Sequence, residues 1–204
     1  MTSTLHCHQE CYSSTQRRNV IISSLLKHIK SLGFNKFGET IQYIPTLAFI
    51  EMDIQIEQTK DHEVISKLNE PVQTLHHQLY PKDFKKFDLN SATHFFKEIL
   101  ISADSYAFLA KIDAEPVGYI LCMLKTRKEN EFQHEKKILY IDQISINDEF
   151  RKQGIGKKLM HKAFELANEL HVTEIQLDHW VNNDSACSFF KQLGFRYYNY
   201  KMKK

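Results

Sequence analysis

Tyr140-Ile-Asp-Gln-Ile-Ser-Ile146, then Asn147-Asp-Glu-Phe150, then Arg151-Lys-Gln-Gly-Ile-Gly156 and a long run to Leu170, is the stretch that decides the fold. In its first part Ile141, Gln143 and Ser145 alternate with Tyr140, Asp142, Ile144 and Ile146, the two-residue period of a β-strand. In its last part Ile155, Leu159, Met160, Ala163, Phe164, Leu166, Ala167 and Leu170 recur at helical spacing. Between the two, Arg151-x-x-Gly154-x-Gly156 makes a strand–loop–helix joint. Glycines allow close backbone approach, and the first amides of a helix have no partner within it. Such a joint suits a phosphate, and Arg151, Lys157 and Lys158 add positive charge to it.

Working outward, the chain of 204 residues suits one ordinary domain with an extension. Its hydrophobic fraction of 42% supports a real core, and a net charge of +2 with mixed signs argues against a nucleic-acid surface. No apolar run approaches the roughly 20 residues of a membrane span. Nor does the polar N-terminus read as a signal peptide. Cys7, Cys11, Cys122 and Cys187 form no disulfide pattern, which suggests a reducing cytoplasm.

Residues 1–51 differ from the rest and read as an N-terminal extension, partly disordered. The working domain is expected to span 52–204, with Met52 an alternative start. His6-Cys7-His8-Gln9-Glu10-Cys11 holds soft ligands but lacks the paired spacings of a structural zinc site, so it reads as a polar tail and no metal is expected.

Asp53-Ile-Gln-Ile-Glu-Gln58 reads as a strand. Val64, Leu68, Val72, Leu75 and Leu79 predict a helix over 61–80, bent at Pro71. Asn90 or Ser91 is expected to cap a second helix through Ile101. Runs from Tyr106 to Ile112 and from Val117 to Leu124, around Asp113-Ala-Glu-Pro116, predict a hairpin. Lys125 to Lys137 reads as a charged loop. After the central helix come a strand over 174–180, a short helix over 185–193 stopped by Gly194, and a last strand over 195–200. The order predicts an α/β (mixed α+β) fold, a central mixed β-sheet of roughly six to seven strands flanked by about four helices.

Residues 52–204 resemble the GNAT superfamily of acyl-CoA-dependent N-acetyltransferases. One match is Arg151-x-x-Gly154-x-Gly156, similar to the family's pyrophosphate signature; alone it is short. A second, at the right offset, is Asn183-x-x-Ala186-x-x-x-Phe190-x-x-x-Gly194-Phe195, similar to the family's closing strand–helix–strand pattern. Leu75-His76-His77 with Tyr80-Pro81-x-x-Phe84-Lys85 loosely resembles the substrate-side helix of bacterial members.

The resemblance implies acetyl-CoA as co-substrate, bound where two parallel strands splay apart. It implies that Ile144 and Ile146 offer backbone groups to the pantetheine arm, the Ile144 amide facing the acetyl carbonyl as an oxyanion donor. Arg151 and the amides of Gln153, Gly154, Ile155, Gly156 and Lys157 would hold the pyrophosphate, with Asn183 nearby. Asp142 is the candidate base, although an exposed aspartate of pKa ~3.9 is a weak one. His76, His77 and Tyr80 are candidates for the acceptor pocket.

Phe190 departs from the pattern, because many relatives carry there a tyrosine that protonates the leaving thiolate. Tyr197, Tyr198, Cys187 and Ser185 stand near in sequence, and spacing does not choose among them. Trp180 reads as packing and Cys122 as a small core residue.

The expected function is acetyl transfer from acetyl-CoA to a primary amine by direct attack in a ternary complex. The acceptor, a small molecule or a peptide, is not readable, and a homodimer is left open. A non-catalytic acyl-CoA-binding module is the rival that Phe190 keeps alive. A nucleotide-binding loop ranks last, since the Gly-Lys-Ser/Thr ending of a P-loop is missing.

Overall fold

The computed structural model describes residues 53–204. The extension expected over 1–51, its His6–Cys11 stretch and a start at Met52 lie outside the described residues.

One sheet has the order β1 (Ile54–Thr59), β2 (Ser105–Ile112), β3 (Glu115–Arg127), β4 (Lys136–Ile146), β5 (Ile175–Leu177). The first three pairings are antiparallel and β4–β5 is parallel. The helices are α1 (His62–Leu68), α2 (Glu70–Leu79), α3 (Leu89–Ile101), α4 (Ile155–Glu169) and α5 (Asp184–Gln192).

Alternation along the strands builds two cores, one on each face. On one face Phe108, Val117, Ile120, Cys122, Leu139 and Ile141 meet Ile155, Leu159, Met160 and Ala163 of α4 and Phe190 of α5. On the other, Ala107, Leu109, Tyr119 and Leu121 meet Ile65 and Leu68 of α1 and Phe96 and Leu100 of α3.

The sheet has five strands among the described residues, not six or seven, because residues 195–200 make no ladder. Their aromatic side chains attach that segment instead: Tyr198 Oη donates to Gln176 Oε1 at 2.9 Å, and Phe195 lies 5.9 Å from Phe190, ring to ring. The same residues contain five α-helices rather than about four, because the 61–80 segment is two. Pro71 occupies the first turn of α2, where a missing N–H costs nothing. Asn69 ends α1 and begins α2, and its buried side chain donates to Tyr119 Oη and Gln143 Oε1, both at 2.9 Å.

The cap of α3 is Asp88, whose carboxylate accepts from the Ser91 amide at 2.8 Å, in place of Asn90 or Ser91. The hairpin forms as expected, with Asp113 and Ala114 both at positive φ (51° and 67°), as its tight turn requires. β3 and β4 run further into the charged segment than expected, leaving 128–135 as the loop.

Gly118 faces Ile146 where β3 and β4 are tightest: a Cβ there would stand 2.7 Å from the Ser145 carbonyl oxygen. Gly118→Ala is therefore expected to cost about 1–3 kcal/mol, read as a lowered urea midpoint with an unchanged slope.

Candidate active site

The site begins with one extra residue in β4. Gln143 pairs with Leu121 and Ile141 with Cys122, so Asp142 has no opposite number on β3. This β-bulge breaks the strict alternation expected for the strand. Ile141, Ile144 and Ile146 all pack in the α4-side core, while Gln143 accepts from Tyr119 Oη at 2.6 Å on the other face. The parity expected to group Ile141 with Gln143 and Ser145 does not hold.

The bulge also re-aims the backbone. Before it, the Leu139 amide donates towards β5, to Glu174 O at 3.0 Å. After it, the Asn147 amide donates towards β3, to Val117 O at 2.9 Å. Alternation then turns the amides and carbonyls of Ile144 and Ile146 away from β3. On that side the β4–β5 ladder stops at Ile141–Leu177, so no strand meets them. The two parallel strands separate there and leave a gap edged by unpaired main chain.

At the mouth of the gap lies the glycine loop. Gly154 caps α4 at φ 85°, a conformation that disfavours a side chain, and no side chain caps the amides behind it. No acidic residue sits in the first turn, while Lys157 and Lys158 are exposed there. These amides, of Ile155, Gly156 and Lys157 with Gln153 and Gly154 before them, fit an anionic group.

Arg151 braces the loop. Its Nε donates to Ile146 O at 3.3 Å, and its guanidinium lies 2.8 Å from Asp148 Oδ1. Gln153 Nε2 donates to Glu149 O at 3.0 Å.

Gly156 has a packing reason for being glycine as well. A Cβ there would meet the Phe189 ring at 3.1 Å and Ile146 Cδ1 at 3.3 Å. Its smallness lets α5 close against α4 and the end of β4. Asn183 caps α5, accepting from the Ala186 amide at 3.1 Å.

Asp142 is more than half-buried. Burial raises its carboxyl above the ordinary aspartate range, and Lys125 and a hydrogen bond with Gln143 oppose that. Ile144 lies two residues along the same strand. Cys122 is fully buried, and its thiol is pushed up to about 12 by burial, which removes it as a nucleophile.

The structure brings α2 and the loop after β5 together. Tyr80 Oη accepts from the Asn182 amide at 2.8 Å, and its ring lies 4.6 Å from Trp180. Phe84 packs 5.0 Å from Trp180 and 4.7 Å from His76. Burial lowers the pKa of His76 and favours its neutral form. His77 Nδ1 donates to Phe84 O at 2.8 Å and so holds the turn after α2. His76 and Tyr80 thus share an aromatic cluster with Trp180, and His77 supports it from behind.

One contact was not legible beforehand. Tyr140 Oη donates to Asp178 Oδ2 at 3.0 Å across the last paired residues of β4 and β5. Lys125 Nζ lies 3.2 Å from the centre of the Tyr140 ring. The pair depends on the parallel register, which nothing in the order of residues announces. Among the described residues no cluster of metal-ligating side chains occurs, and no helix is long and apolar enough to cross a membrane.

A gap between parallel strands and a glycine-capped helix at its mouth are parts that the sequence resemblance implied; the aromatic cluster of Tyr80, Phe84 and Trp180 beside them comes from the packing. The acetyltransferase (GNAT) family model matches residues 70–195. The chain belongs to that family, whose co-substrate is acetyl-CoA.

An N-alpha-acetyltransferase of Sulfurisphaera tokodaii is 28% identical over 110 residues, covering 52% of this chain and 66% of that protein. The chain spans about half to two thirds of the length of the first curated relatives it matches. Among solved structures, the tetramutant of the BH1408 protein from Bacillus halodurans superposes with a TM-score of 0.69 at 19% identity, over 75% of this chain and 99% of that one. The aminoglycoside N-acetyltransferase AAC(6')-Iy in complex with CoA gives 0.57 at 17% identity, over 75% and 94%. These likenesses agree on the GNAT fold.

Gly156→Ala is expected to push Phe189 away and to cost about 1–3 kcal/mol in thermal or chemical unfolding. Adding Phe189→Leu makes room and should recover most of it. Equal stability of Gly156→Ala and the parent chain would show that the Phe189 ring yields freely.

Proposed function

We propose that this GNAT domain transfers the acetyl group of acetyl-CoA to a primary amine by direct attack in a ternary complex. One observation carries the reading: past the bulge at Asp142, the main chain of Ile144 and Ile146 faces an unpaired gap that ends at a bare helix N-terminus. The pyrophosphate lies on the amides of Gln153, Gly154, Ile155, Gly156 and Lys157, and Arg151 exchanges its Asp148 partner for a phosphate oxygen. The pantetheine arm runs along Ile144 and Ile146, with the free amide group of the Asn183 side chain beside it. The Ile144 amide donates to the acetyl oxygen as negative charge develops there.

Asp142 is the base in this reading. It takes a proton from the acceptor ammonium, directly or through a water, and the pKa rise from burial makes it a better base than an exposed aspartate. His76, Tyr80 and Trp180 form one wall of the acceptor pocket. The acceptor is a peptide or small-molecule amine, and the archaeal N-alpha-acetyltransferase relative makes a polypeptide α-amine the first to try. The domain works in the cytoplasm, alone or as a homodimer, and residues 1–51 are an appendage to it.

The experiment is release of CoA thiol from acetyl-CoA in an amine panel that includes peptides, beside calorimetry with CoA. CoA binding with saturable, amine-dependent turnover is expected. Binding without turnover on any amine would favour a non-catalytic acyl-CoA module.

Asp142→Asn should lower kcat about tenfold or more while CoA affinity stays within about twofold. The pH profile carries a sign. A base works only when deprotonated, so a raised pKa moves the acid limb of kcat/KM above the range of an exposed aspartate. Activity is full above that limb and falls as pH drops through it, and Asp142→Asn should remove the limb.

A further inference from the structure

We propose that Tyr197 protonates the departing CoA thiolate and that His179 and Cys187 hold its hydroxyl for that task; this rests on the acetyl-transfer reading above. The need is local. Phe190 stands where many GNAT members carry a tyrosine, and it is buried against Phe195 and Phe189 with no proton to give.

A phenol returns from another part of the chain. Tyr197 Oη lies 2.9 Å from His179 Nε2 and 3.1 Å from Cys187 Sγ. The three residues come from the chain beyond β5, from α5 and from the C-terminal segment. Cys187 is three residues before Phe190, hence on the same side of α5. His179 is two residues past Leu177, the last β5 residue paired with β4. It therefore lies on the stretch that parts from β4 where the gap opens. Tyr197 is about half exposed.

The histidine has a defined polarity. Its Nδ1 lies 3.2 Å from Trp180 O, and a carbonyl only accepts, so Nδ1 carries a hydrogen. Nε2 is then a lone pair in the neutral ring and an N–H in the imidazolium. Neutral His179 draws the Tyr197 hydrogen to itself. Protonated His179 donates to Tyr197 Oη and frees the phenol hydrogen for the sulfur.

In the reaction the amine nitrogen bonds to the thioester carbon and the C–S bond breaks with its electron pair on sulfur. Sulfur takes the Tyr197 proton, Tyr197 takes one from His179 Nε2, and the ring recovers one from water. The acceptor nitrogen loses two protons, one from the ammonium to Asp142 before attack and one to water as the C–S bond breaks, and this second proton balances the one that the His179 ring draws from water. Around the cluster stand Asp178, 3.9 Å from Lys201, Lys191 with Nζ 5.2 Å from the centre of the Tyr197 ring, and Tyr200 with its ring 5.6 Å away.

The test compares wild type, Tyr197→Phe, His179→Gln and Cys187→Ser in kcat against pH, CoA affinity by calorimetry, and titration of the bound CoA thiol by thiolate absorbance. Tyr197→Phe and His179→Gln should lose about tenfold in kcat, with CoA affinity within about twofold. Both should lack the alkaline fall in kcat expected of the wild type. Cys187→Ser keeps a hydroxyl beside the phenol and should lose less in kcat than either. The bound thiol should titrate about one pH unit higher in Tyr197→Phe, because a donor to the thiolate is gone.

Tyr197→Phe with wild-type kcat, or with an unshifted thiol titration, overturns the proposal. So does an alkaline limb retained in both variants. A wild-type chain that fails to bind CoA overturns the acetyl-transfer reading itself, and the calorimetry on unaltered protein detects that separately.

Discussion

The architecture depends on a single unpaired residue, Asp142, in the middle of β4. A continuous strand would keep Ile144 and Ile146 on the wrong parity: either their side chains would leave the α4-side core or their amides would stay bonded to β3. The bulge lets both demands be met. Side chains of Ile141, Ile144 and Ile146 stay buried on one face, and the backbone groups of the last two turn to the open edge. Where the bulge acts, β5 gives out, because its ladder with β4 is only three residue pairs long. Main-chain donors that no strand satisfies are costly unless water or a ligand takes them. The main chain along the gap is therefore left to water or a ligand, by the same accounting that pairs the rest of the sheet.

Two long-range contacts hold the walls of that gap. Tyr80 Oη receives the Asn182 amide, which ties the turn after α2 to the loop after β5 across a separation of 102 residues. On the opposite side, Phe189 lies over Gly156 and presses α5 onto the start of α4 and the end of β4. The glycine loop is thus packed, through Phe189, against the helix that carries Cys187 and Phe190. A shift at Gly156 is felt at both, since packed side chains yield only by moving their neighbours.

Much of this was readable in the residues. The amphipathic stripe of α4, the Gly154 cap, the hairpin around Asp113 and Ala114, and the short helix ending at Gly194 each have local causes. The two motifs named the family, and Asp142, Ile144 and the glycine loop fall on one connected stretch. What could not be read has a common origin in contacts between distant segments. The bulge hides in β4 because Ile-Asp-Gln-Ile satisfies alternation as well as it satisfies a break in it. The end of β5 at Leu177 depends on where β4 stops matching it, and the aromatic 195–200 run has strand-like composition but attaches through side chains rather than a ladder. Tyr140 with Asp178, and Tyr197 with His179 and Cys187, meet only through tertiary packing. Gly156 was legible as a needed glycine, and the Phe189 ring packed against it is a further reason that only tertiary packing shows.

The electrostatics of Asp142 rest on a competition that the fold leaves lopsided. Burial destabilises the carboxylate, while Lys125 and Gln143 stabilise it. Lys125 is exposed, with its ammonium against the face of Tyr140, so solvent and salt weaken its pull on Asp142. Burial is not screened in that way and dominates. An acceptor amine entering beside Asp142 would displace water from the carboxylate and add to the burial, while its own positive charge favours the ionised form until the proton moves. Transfer of that proton removes both charges at once from a place that has just become drier, which is the direction in which a desolvated ion pair is driven. The bulge that turns the Ile144 amide to the open edge and the burial that raises Asp142 thus fall on one short stretch of backbone, two residues apart.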